Sequence, residues 1–216
     1  KGEKVFKAIE VLVGDHQIEN FKIPFTAVAA DVRNKKEVHY RSGSLFKALR
    51  ASIAIPTVFT PVVEGRSQLV DGGVLNPLPL DLIKPDADDI IVAVNLNANT
   101  PAPSNAFPVE NKEKAAYQKM LDAFRTQILK IDSKAESKIE MFGFFDLMTK
   151  SFDLTQDRVT ELMIALYKPQ IVVEISRDFC GVFEFYRANE VIEEGRRVFH
   201  ESLQRYIDST SQEKVS

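Results

Sequence analysis

The chain has 216 residues, 44% hydrophobic and 27% charged, close to globular averages, and a chain this long buries roughly 70% or more of the surface its unfolded form exposes, which excludes disorder and low complexity. Lysine and arginine number 28 against 31 aspartates and glutamates, a net charge of −3, so there is no basic footprint for nucleic acid. The single cysteine, Cys180, excludes an internal disulfide and a thiolate metal cluster, and no apolar run approaches the ~18 residues of a membrane span. No signal-peptide pattern opens the sequence, which starts at Lys1 inside a helical pattern; one cytoplasmic domain is the expectation.

Val5, Phe6, Ile9, Leu12 and Val13 recur at helical spacing up to Gly14. Ile23 to Ala30 is short, apolar and rich in small residues, as a buried strand is. Glu37 to Tyr40 predicts a second strand after the turn-prone Asn34-Lys35-Lys36. Ser44 is placed to N-cap a helix carrying Leu45, Phe46, Ala48 and Leu49. Pro56 and Pro61 then interrupt regular structure. Gln68-Leu69-Val70 predicts a strand running into Asp71-Gly72-Gly73, and the β-branched run from Asp89 to Leu96 a buried parallel strand. A proline-bearing loop over 97–111 precedes helical patterns at about 112–140 and 153–166. Ile171 to Ile175 predicts a last strand, and Val191, Ile192, Gly195, Phe199, Leu203 and Tyr206 share one face of a closing helix. Alternating helices and buried strands predict an α/β class with a mostly parallel sheet flanked by helices.

The three histidines, His16, His39 and His200, have no second histidine or cysteine at metal-ligand spacing, so neither a metal nor a cofactor is expected. G-x-x-x-x-G-K, G-x-G-x-x-G and G-x-S-x-G are all missing from these residues. Asp71-Gly72-Gly73 is the sharpest local feature, and by itself it reads as a tight hairpin turn between apolar runs. The text before it, Ala51-Ser52-Ile53-Ala54-Ile55-Pro56-Thr57-Val58-Phe59-Thr60-Pro61-Val62, fits neither a helix nor a strand period. Small residues and prolines there precede two apolar anchors, Phe59 and Val62, as in a rigid, purpose-built loop. Phe142-Gly143-Phe144-Phe145-Asp146-Leu147-Met148, with Phe152 close by, reads either as an apolar lid beside a site or as a packed corner between two helices.

The joined pattern A-S-x-A-x-P-x-x-F-x-P-V over 51–62, D-G-G at 71–73 and Asn76-Pro77 resembles the patatin-like phospholipase family. Pro24 to Asp31, Asp88 to Leu96 and Tyr186 to Gly195 extend the likeness. The resemblance implies that 1–208 form the C-terminal part of one patatin-like domain lacking its N-terminal part, with a variable helical insertion at about 101–164 and a polar tail at 209–216. It implies a lipid acyl hydrolase with a Ser-Asp dyad, since a carboxylate raised by desolvation can serve as base to a serine. Asp71 is then the base, Gly72 and Gly73 permit the turn and a close backbone approach, and Asn76, Pro77, Ser52 and Pro56 support the loop. The elbow serine and the glycine-rich oxyanion loop would lie upstream of position 1. A lipid or acyl-ester substrate and peripheral membrane contact are implied as partners. A non-catalytic lipid-binding or regulatory module on the same fold, and a structural fragment left by proteolysis, are the competing readings. Asp71 is expected at the C-terminal edge of the sheet, partly buried and open to a cleft. Ile23–Val32 is expected as a strand flanked by the missing N-terminal segment or a neighbouring copy, or else abnormally exposed.

Overall fold

The computed structural model describes residues 6–7, 10–11, 14–56, 58–101, 135–181 and 184–213, with the backbone alone for 135–146, 185 and 213. The chain divides into two compact units, Lys1–Lys84 with Phe152–Lys168, and Pro85–Ser151 with Pro169–Ser216.

The first unit is built on four strands, β1 (Ala27–Asp31), β2 (Lys36–Tyr40), β3 (Val62–Glu64) and β4 (Ser67–Asp71), in the order β2-β1-β4-β3. All three pairings are antiparallel. This corrects the mostly parallel expectation: residues 32–35 and 65–66 are the whole of two connections, and links this short can only return a chain antiparallel. Gly65 takes a φ of +58° in the tighter turn, where a side chain would be strained. That turn also displaces the hairpin reading of Asp71-Gly72, because the hairpin closes six residues earlier, at Gly65.

Helix α1 (Leu45–Ser52) lies on this sheet. Ser44 caps it as its sequence position predicts, its hydroxyl accepting from the Lys47 amide at 3.1 Å and donating to Asp15 at 2.6 Å. Ala48 and Ala51 face inward, and with Ala29 they are fully buried. Alanines on both surfaces let helix and sheet approach closely at native packing density. Ile18, Ala27, Leu45 and Leu69 complete the apolar interior. Phe6 meets Phe59 edge-on at 5.1 Å, and the Arg50 guanidinium stacks 4.0 Å from the Phe6 ring.

Strand β1 is buried along its whole length. It is central, with β2 on one side and β4 on the other, so over Ala27–Asp31 the expectation of a flanking partner segment is overturned, while Ile23 and Val32 at the ends of the expected strand are exposed. The strand's own hairpin takes one edge, and β4, brought back by the Val62–Asp71 hairpin, takes the other. Asp31 at its end is buried and binds the Arg33 and Asn34 amides, the Asn34 side chain and the Gln68 amide at 2.6–3.2 Å. Hydrogen bonds from the Ser67 hydroxyl and Asn34 hold its carboxyl well below the usual carboxylate range.

The second unit pairs β5 (Val92–Ala98) with β6 (Ile171–Ser176) in parallel. The connection between them is long, as a parallel pair requires. Helix α3 (Ala188–Glu213) covers one face of the pair, where Val198, Phe199 and Leu203 meet Ile171, Val173, Ile175 and Phe179. Its last turn carries helix into the polar segment expected as a tail at 209–216. The hydroxyls of Ser209, Thr210 and Ser211 bond carbonyls one turn back and carry the helix to Glu213.

Between β5 and β6, helix α2 (Ala135–Tyr167) is continuous where sequence predicts a break. No proline stands between Pro108 and Pro169, so nothing interrupts the hydrogen-bond ladder. The corner expected at Phe142–Met148 is therefore backbone helix, and the side chains of Phe142, Phe144 and Phe145 lie outside the described residues. So do 102–134, which hold most of the expected loop and first helix. Among the described residues no helix is long and apolar enough to cross a membrane.

Candidate active site around Asp71

Asp71 closes β4, opposite Ala29 of β1. Its amide donates to the Ala54 carbonyl at 3.0 Å, which ties the Ala51–Val62 segment to the strand end. The chain then turns through a short 3-10 helix, Gly72–Val74. The Asp71 side chain caps that turn, Oδ1 accepting from the Gly73 amide at 2.8 Å. The carboxyl is partly buried, and burial pushes its pKa up while the Gly73 hydrogen bond opposes the shift.

Gly72 is required by contact rather than by a special dihedral, and Gly73 sits closely between two side chains. A Cβ on Gly72 would collide with the Val28 carbonyl oxygen and stand 2.7 Å from its carbon. A Cβ on Gly73 would stand 3.0 Å from Gln156 Nε2 and 3.2 Å from Asp71 Oδ1. Gln156, on α2 within the same unit, donates to the Gly73 carbonyl at 2.8 Å.

Asn76 is buried where the turn ends, its amide bonded to the Gly72 carbonyl at 2.9 Å. Its side-chain Nδ2 donates to Asp81 at 2.8 Å and to Glu37 at 3.3 Å, which joins the turn to β2 and to the Leu80–Leu82 segment. Pro77 follows, half-buried. Ser52 ends α1 and is half-buried, and Pro56 is exposed. Among the seven residues singled out from sequence, Asp71, Gly72, Gly73, Asn76 and Pro77 form one continuous turn. The 51–62 segment reaches Asp71 through Ala54, a neighbour of Ser52 and Pro56 rather than either of them. Gln156 was not singled out, since it sits 83 residues beyond Gly73 and no spacing rule connects a turn to so distant a helix.

A groove of about 610 Å³ lies elsewhere in this unit, lined by Tyr40, Ser44, Phe46, Lys47, Val63 and Glu64 among others. None of its lining residues belongs to the 71–77 turn, so it is not the cleft expected beside Asp71. Burial and the Glu64 carboxylate push the Tyr40 phenol up to about 12. Cys180 is a free, half-buried thiol that burial pushes up, the reverse of what a nucleophilic cysteine needs. Among the described residues no group of acidic, histidine or cysteine side chains could hold a metal ion.

A family model described as patatin-like phospholipase matches residues 1–83, a span that includes the whole turn and the 51–62 segment. An uncharacterized NTE family protein of Mycobacterium tuberculosis is 30% identical over 252 aligned residues, which cover 95% of this chain and 70% of that protein. A second uncharacterized NTE family protein of the same species is 36% identical over 107 residues, 50% of this chain and 18% of its own length. Lysophospholipase nte1 of Aspergillus fumigatus is 29% identical over 103 residues, 46% of this chain and 7% of its own.

Proposed function

This chain belongs to the patatin-like phospholipase family, and on that premise we propose that it is the base-bearing part of a lipid acyl hydrolase in which Asp71 is the general base. The observation that carries this reading is the Asp71 carboxyl itself: a partly desolvated acid at a strand end, raised above its ordinary pKa and oriented by one backbone amide. A base works best when its pKa approaches the working pH, and burial moves a carboxyl that way. The name of the lysophospholipase relative supports a lysophospholipid or related acyl ester as substrate.

In the proposed reaction Asp71 takes the proton of a serine hydroxyl as that oxygen attacks the ester carbonyl. The tetrahedral intermediate collapses, the proton passes to the departing alcohol, and an acyl-serine remains. Asp71 then deprotonates a water that attacks the acyl group, releases the fatty acid and returns the proton to serine. These 216 residues hold no G-x-S-x-G, so the serine and its oxyanion donors are proposed to come from polypeptide beyond them. The substrate would be met at a membrane periphery, with no metal or cofactor taking part.

The test is lysophospholipid hydrolysis by protein that joins these residues to the serine-bearing segment. Asp71→Asn should lower kcat by roughly 10²–10⁴-fold with KM little changed. A variant that keeps more than about a tenth of the rate removes Asp71 from the role. Lipid binding with no hydrolysis, serine segment present, would favour the lipid-binding module instead.

A further inference from the structure

We infer that Gln156 is a positioning residue for Asp71, acting through the backbone of Gly73. This rests on Asp71 being the general base. The geometry is a short relay: Gln156 Nε2 donates to the Gly73 carbonyl at 2.8 Å, and the Gly73 amide donates to Asp71 Oδ1 at 2.8 Å. Gly73 is sandwiched between the two side chains, since a Cβ there would stand 3.0 Å from one and 3.2 Å from the other. A Cβ at 73 would press on both side chains, and glycine is also the residue whose φ and ψ are least restrained by its own chemistry. A turn built on two successive glycines therefore needs an outside tether if its amide is to hold one direction. The tether comes from a long helix, with Thr160 buried one turn further along and Val159 and Met163 half-buried beside it.

The chemistry of the tether matters as much as its position. A lysine or arginine at 156 would place a cation near Asp71, favour the carboxylate and lower its pKa. Glutamine fixes the turn without adding charge, so the basicity that burial confers on Asp71 is kept. Charged groups on the neighbouring elements are Asp31 on β1, held by Asn34 and Gln68, Glu37 on β2 and Asp81, both bonded by Asn76, and Asp153 and Asp157 on α2. None of them contributes to the Asp71 shift, whose two causes are burial and the Gly73 amide.

The experiment is NMR on the full 216-residue chain, following the Asp71 carboxyl carbon through a pH titration and hydrogen exchange at the Gly73 amide. Gln156→Met keeps length and loses the donor. Gly73 exchange should quicken on the order of tenfold, as one lost hydrogen bond implies, and the Asp71 midpoint should rise as its amide contact weakens. Gln156→Lys restores a donor and should return Gly73 protection. Should the methionine variant fail to fold, Gln156→Glu, of equal length and unable to donate when ionised, should show the same faster Gly73 exchange. Unchanged Gly73 exchange overturns the proposal. So does faster exchange with an unmoved Asp71 midpoint, which would make Gln156 a packing residue only. Neither result depends on hydrolysis, so an Asp71→Asn protein that still turns over would sink the base assignment while leaving the relay intact.

Discussion

At the residue scale, Asp71 is held in a state that costs stability. Its folded pKa is raised, so the fold binds its proton more tightly than the unfolded chain does. The stabilising contribution is therefore complete below the ordinary value of 3.8 and is lost as pH rises through the raised value. At neutral pH the ionised, half-desolvated carboxylate is a liability. Asparagine keeps an Oδ1 for the Gly73 amide and carries no charge. Asp71→Asn is expected to be more stable than the parent chain at pH 7, by on the order of 1 kcal/mol, with the gain shrinking as pH falls toward 3.8. Urea unfolding at a series of pH values measures it, and a less stable variant at pH 7 would contradict the assignment of burial as the dominant influence. Asp71-Gly72-Gly73 was legible as a special tripeptide, but its ambiguity between hairpin and active-site turn was real. The same residues serve both, and the fact that removes the hairpin from them, that it closes at Gly65, lies in the pairing of Glu64 with Ser67.

At the element scale, the site depends on how closely the turn approaches β1. Gly72 rests against the Val28 backbone with no space for a methyl group. Strand β1 cannot yield, because β2 and β4 hold it on both sides and the Asp31 hydrogen bonds pin its end. Gly72→Ala is thus expected to destabilise the chain by about 2–4 kcal/mol, more than an ordinary overpacked site. Thermal or denaturant unfolding reads this directly, and a loss under about 0.5 kcal/mol, the scale of a neutral surface change, would mean the turn can move off the strand. Much at this scale was readable in advance. Ser44 announced α1 by its capping chemistry, and β1, β4 and β6 each follow a local apolar run, whereas β5, expected buried from Asp89 to Leu96, begins at Val92 and leaves Val92, Val94 and Leu96 exposed. The break expected in α2 failed because aromatic clustering near Gly143 is not a helix stop, whereas the absence of proline from 109 to 168 is a reason to continue.

At the scale of the whole molecule, the proposed reading makes these residues a general base without a nucleophile, which should be chemically silent. The 216-residue chain is expected to give no serine-specific fluorophosphonate labelling above a heat-denatured control, since nucleophile and oxyanion donors are each worth orders of magnitude. Labelling of any serine in this chain would overturn the proposed division of the dyad. The residue order alone determined the composition class, the short elements and the joined motif over 51–77, because capping, apolar periodicity and turn chemistry act within a few residues along the chain. It left open which strands would become neighbours. The antiparallel order β2-β1-β4-β3, the burial of β1 on both edges, the Val28 wall behind Gly72 and the reach of Gln156 to Gly73 across 83 residues were decided only in three dimensions. Pairing and burial are properties of groups far apart in sequence, and no local preference of Ala29 or Gly73 specifies the partner that tertiary packing brings to it.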